Sequence, residues 1–216
     1  MRHMRRPAVR VGVTALVLAL AAGVSMPPAS ASSGPAGPQV VAAVRLLLTT
    51  AVELPAASRA ALIEEVEGIW RRAGFQPQWD AVPGLVPASR PPLRVLVMMR
   101  AARDRHASWP VAELLPAQDN RQVAIASIDG ARRVLDAAGF RNDTARIRDH
   151  RLGVILGRAV AHEIGHYLLR TTGHARSGLM RTRVDAREFA DLRAGGFYLD
   201  RASALLFQPA ARTALR

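Results

Sequence analysis

The stretch "RLGVILGRAVAHEIGHYLL", residues 151–169, constrains this chain more than any other feature. Its apolar residues, Leu152, Ile155, Leu156, Ala159 and Val160, recur at helical spacing and predict a buried helix from about Arg151 to Arg170. His162 and His166 stand four apart, so a helix presents both on one face, with Glu163 beside them. Two imidazoles and a carboxylate are costly to bury unless something polar occupies the site they face. Any fold must therefore bring this helix into the core and still satisfy three polar side chains. A metal ion explains the three together. The chain has no cysteine, so the remaining ligands must come from His, Asp or Glu.

The pattern H-E-x-x-H assigns roles. His162 and His166 each offer a ring nitrogen to Zn²⁺, while Glu163 sits next to the metal without binding it. Zinc lowers the pKa of a water to roughly 7 and polarises a carbonyl, and the glutamate takes the proton and returns it to a leaving amine. A catalytic zinc has three protein ligands and one open position. His174 is the leading third ligand, and Gly173 before it permits a sharp turn back towards the helix. Glu188 in "DAREFAD" is the rival, 22 residues past His166; its other role is to complete a capping box with Asp185. Asp191 reads as a helix-face residue. If Glu188 takes the metal, His174 becomes a hydrogen-bond donor to the substrate.

The stretch "HEIGHYLLRTTGHARSGLM" resembles the metzincin clan of zinc peptidases: an H-E-x-x-H pair, a glycine, a third histidine and a nearby methionine. The resemblance implies a mixed sheet with an active-site helix below it, peptide-bond hydrolysis, and Met180 in a tight turn beneath the metal. It also implies a sheet edge that holds substrate by strand addition. "RQVAIASID", residues 121–129, is the candidate for that edge. The third histidine stands eight residues after His166, where the clan's pattern has six, and Arg181 follows the methionine where proline or tyrosine is common. The resemblance covers about twenty residues. The gluzincin clan, whose third ligand is a glutamate on a following helix, is the alternative that Glu188 represents.

Elsewhere the pattern predicts an α+β domain. "VVAAVRLLLTTAV" (40–52) is a strand or a short helix, and Ser58 is expected to cap a helix ending before Gly74. "QPQWDAV" is a short extended piece, and "LRVLVMM" (93–99) and "RQVAIASID" are strands. "GARRVLDAAGF" is a short helix or turn, residues 100–120 read as irregular, and a last helix starts near Asp185. The expected architecture is a small mixed sheet packed on the H-E-x-x-H helix, with a C-terminal helix.

The N-terminus, "MRHMRRPAVRVGVTALVLALAAGVSMPPASASS", has a basic start, an apolar run and a small-residue "ASA" site, which together predict a secretory signal over 1–31. A leader and first element (32–57) and a catalytic domain (58–216) would follow, exported to the periplasm or beyond. A membrane association is expected only if the signal stays uncleaved. All 30 basic residues are arginine, scattered rather than clustered, and aromatics make up 5%, which argues against a nucleic-acid module. The expected partner is a peptide or protein substrate. The competing classes are a zinc-binding interaction protein without catalysis and a basic protein adhering to polyanions. His3, His106 and His150 sit among charges or in the signal, while Tyr167 and Tyr198 are candidates for oxyanion contacts.

Overall fold

The computed structural model describes residues 42–80, 93–98, 111–116, 122–200 and 203–204. The chain divides into two units, Met1–Gln39 and Val40–Arg216, and all that follows concerns the second. The expected signal, His3 and His106 lie outside the described residues.

The fold is α+β. Its elements are β1 (Ala42–Thr50), α1 (Ala56–Arg72), β2 (Phe75–Trp79), β3 (Leu93–Met98), β4 (Ala112–Pro116), β5 (Gln122–Ser127), α2 (Ile128–Ala137), α3 (Ala145–Leu169) and α4 (Ala186–Ala190). Five strands form one mixed sheet in the order β2-β1-β3-β5-β4. The first four are parallel, and β4 pairs antiparallel with β5 at the edge. The segment 40–52 thus resolves as a strand: Leu46 and Leu47 are both buried, as a strand inside a covered sheet requires. Along β3, Leu93, Val95 and Val97 point into the core and Arg94 points out.

Helices α1 and α3 pack against each other and against the sheet. Ser58, Ala61, Leu62, Val66, Ile69 and Trp70 form the buried stripe of α1 at the helical period. Two glycines on α3 bring the axes close. A methyl at Gly153 would lie 2.2 Å from the Ser58 carbonyl oxygen, and one at Gly157 would lie 2.9 Å from that of Leu62. Ser58 is not the cap it was expected to be. The helix starts at Ala56 behind Pro55, and the Ser58 hydroxyl donates instead to the Asp149 carbonyl at 2.7 Å, joining α1 to α3. Helix α3 begins six residues earlier than its apolar pattern, because Thr144 caps it and accepts from the Ile147 amide.

Two further corrections fall on the sheet. β4 lies within the segment 100–120 that reads as irregular. β5, the expected edge, is interior, with β3 on one side and β4 on the other. No helix among the described residues is long and apolar enough to cross a membrane.

Candidate metal centre

Helix α3 carries His162, Glu163 and His166 as the spacing requires, and each imidazole is oriented by a carbonyl outside its own turn. Leu179 O lies 2.7 Å from His162 Nδ1, and Thr171 O lies 2.7 Å from His166 Nδ1. A carbonyl oxygen only accepts, so both Nδ1 atoms carry the proton and both Nε2 atoms present lone pairs. Those two Nε2 atoms face each other at 3.0 Å. Burial and the neighbouring imidazoles push His162 down to about 4, and burial also lowers His166, which keeps their lone pairs free at neutral pH. Two lone pairs that converge in this way repel unless a cation lies between them.

The chain after α3 brings in the third imidazole. His162, His166 and His174 each offer one nitrogen within 4.8 Å of the others, with ring centroids 4.7, 5.3 and 4.9 Å apart, close enough to hold a metal ion. Nitrogens bound at about 2.0–2.1 Å to one tetrahedral ion stand roughly 3.3 Å apart, so small adjustments of the rings suffice. The reversal that returns His174 is not made at Gly173. Arg170 makes it, in the left-handed region at φ 50, ψ 42, with its amide donating to the His166 carbonyl. Beyond the triad the Ala175 amide donates to the Met180 carbonyl at 2.8 Å, and Ala175 bridges to Arg181. The loop is thereby closed on itself behind His174.

Met180 is buried beneath the helix. A methyl at Gly165 would stand 2.3 Å from the Met180 sulfur, so a glycine between His162 and His166 is what admits the thioether. Gly178, at φ 73, allows the turn that places Leu179, whose amide donates to the Tyr198 carbonyl and whose own carbonyl orients His162.

Glu163 is buried beside the pair at 8% exposure. Burial pushes its carboxyl up to about 7, opposed by the Leu114 backbone amide, which donates to it. That contact joins the site to β4. Val111 O accepts from the Ser127 amide, so alternate residues of this segment face β5, and Ala112 and Leu114 turn their backbone groups away from it. A cleft of about 1310 Å³ runs between this open edge and the triad.

Glu188 does not join the metal group. Its carboxylate accepts from the Arg181 guanidinium, and the return half of the expected capping box is not made. Asp185 does cap α4, accepting from the Arg187 and Glu188 amides. Asp191 accepts from the Arg193 amide. Tyr167 lines the cleft, while Tyr198 is 48% exposed and lies outside its lining. Two residues escaped the sequence reading. Leu114 carries no signal beyond a short apolar pair. Arg158 is the single charge in the apolar stretch from Leu152 to Ala161, one turn before His162. It is 2% exposed, paired with Glu65 at 2.8 Å and donating to the Phe189 carbonyl at 2.9 Å.

No protein-family model matches this chain, and no curated protein and no solved structure does either.

Proposed function

We propose that this chain is a zinc-dependent metallopeptidase of metzincin type, with His162, His166 and His174 as ligands and Glu163 as general base. The observation that carries the reading is the arrival of His174, from a separate loop, on two imidazoles whose Nε2 lone pairs already converge. A chance H-E-x-x-H on a buried helix has no reason to recruit a third imidazole. Three nitrogen ligands with an open approach from a cleft suit a catalytic ion better than a closed structural site.

When bound, zinc would supply Lewis acidity for a water and for the scissile carbonyl. The remaining work falls to the chain. Glu163, held by the Leu114 amide, is positioned to accept a proton from the attacking water and to deliver it to the leaving amine. The backbone groups of Ala112 and the Leu114 carbonyl on β4 are offered to an extended peptide, the Leu114 amide being held by Glu163; this is the strand-addition mode expected of the clan but on β4 rather than β5. Met180 under Gly165 keeps the ligand helix and the loop in register.

Elemental analysis of the purified full chain tests the reading, with His174→Ala, Glu188→Ala and Glu163→Gln beside wild type. The expected result is one zinc in wild type, Glu188→Ala and Glu163→Gln, and a loss confined to His174→Ala. Glu163→Gln should also abolish peptide cleavage. Full cleavage in that variant, or no zinc in wild type after supplementation, would end the proposal.

A further inference from the structure

The outer edge of β4 is unequal in what it offers a peptide. β4 ends the sheet, so no strand among the described residues covers that edge. The Ser127 amide donates to the Val111 carbonyl at 2.7 Å, which turns Val111, Glu113 and Leu115 towards β5. A residue in an antiparallel strand points both of its backbone groups to one side, so Ala112, Leu114 and Pro116 point theirs outward. All three line the cleft that holds the triad. Each supplies a carbonyl oxygen. Their amides differ. The Leu114 amide already donates to Glu163, and Pro116 has no N–H to give. The edge thus presents three acceptors and one donor, the Ala112 amide. Pro116 costs the sheet itself nothing, since the bond it lacks belongs to the open edge and not to the pairing with β5.

This imbalance falls on the backbone of a bound peptide. Outward carbonyls stand two residues apart along a strand, so those of Ala112, Leu114 and Pro116 span about 13 Å. They call for N–H groups from alternate residues of an extended chain, whichever way it runs. Proline at such a residue would leave an acceptor on β4 unmatched. The N–H groups of the intervening residues point away from β4 and are not read. The carbonyls of the peptide fare differently. One meets the Ala112 amide. The carbonyl that an ordinary ladder would give to the Leu114 amide is left beside Glu163 instead. The one due to Pro116 keeps its water, because Pro116 is exposed.

We infer that β4 selects substrate by its backbone: an extended segment that donates N–H at three alternate residues, with proline excluded from each. The carbonyl released beside Glu163 belongs to the bond that is cut. That second statement rests on the peptidase reading, whereas the first concerns binding alone.

The test uses the full chain loaded with zinc. The Glu163→Gln protein, whose side-chain carbonyl can still accept from Leu114, is equilibrated with a random decapeptide library. A bound peptide is resynthesised with each amide in turn replaced by an ester, which deletes one N–H. Three esters at alternate residues should each weaken binding about two- to tenfold, with little change from those between them. Pro116→Ala supplies the absent donor and should tighten the parent peptide about twofold or more, a gain that misfolding cannot mimic. Sensitivity without that alternation, or no gain in Pro116→Ala, overturns the inference. Wild type is then given the same peptide for cleavage. A cut within the span of the three sensitive residues upholds both readings, and a cut outside it overturns the assignment of the released carbonyl. Alternation without any cut sinks the peptidase reading and upholds β4 as the selector. Cuts without alternation overturn the inference and leave the peptidase reading standing. Neither binding nor cuts refutes both.

Discussion

Replacing Glu163 by glutamine should change how the metal-free protein responds to pH, by an amount the structure supplies. Burial pushes the Glu163 carboxyl from 4.5 to about 7. Between those values the folded chain holds a proton that the unfolded chain has released. The stability this group contributes is therefore fully present below pH 4.5 and declines as pH rises through 7. At about 1.4 kcal/mol per pH unit, the gap amounts to about 3 kcal/mol. His162 works in the opposite sense, because burial pushes it from 6.5 to about 4. Its contribution is complete above pH 6.5 and is lost as pH falls through 4, because the unfolded chain binds the proton first. In wild type the two trends oppose each other over nearly the same range. Glutamine removes one of them. The stability of Glu163→Gln minus that of wild type should thus rise by about 3 kcal/mol between pH 4.5 and 7.5, while the imidazole contributions cancel in the difference. Urea unfolding at half-unit pH steps in the presence of a chelator measures it. With zinc bound the rise should shrink, since an adjacent dication favours the carboxylate. A difference that stays level across the range would show that Glu163 is not desolvated under β4, and the geometry on which its proposed role as general base rests would be wrong.

Gly165→Ala should place a methyl on the Met180 sulfur and cost about 1–3 kcal/mol in urea unfolding, with weaker zinc retention on dialysis; an unchanged midpoint would remove Met180 from its supporting role. Arg158→Met leaves the Glu65 carboxylate and the Phe189 carbonyl without their donor, so a loss of about 3 kcal/mol is expected by the same assay. Chelation should lower the thermal midpoint in proportion to the logarithm of free zinc over its dissociation constant. That dependence should vanish in His174→Ala, and its persistence there would exclude His174 as a ligand.

The local half of this site could be read directly from the chain. His162, Glu163 and His166 share a helix, and the geometry of a helix follows from its own hydrogen bonds, so a spacing of four is already a statement about space. The same holds for the buried stripe of α1 and for the alternation of β3. Helix termini were less secure, because a cap is a single side chain and Ser58 found a better partner in Asp149, 91 residues away. The glycines were visible but mute: Gly165 tells of a close approach only once Met180 is known to lie against it.

Long-range contact decided the rest. β4 is five residues whose apolar signal is no stronger than its surroundings, and it is a strand because β5 offers an antiparallel partner there. From that pairing comes the amide of Leu114 that holds Glu163, and with it the open edge of the cleft. The choice between His174 and Glu188 was likewise beyond sequence spacing. It depends on Arg170 turning left-handed, on Ala175 and Met180 closing the loop, and on Arg181 engaging the Glu188 carboxylate. The sequence by itself determined which residues can share a turn of helix. Which residues meet across the fold was left to the packing, since a contact between distant segments has no period to announce it.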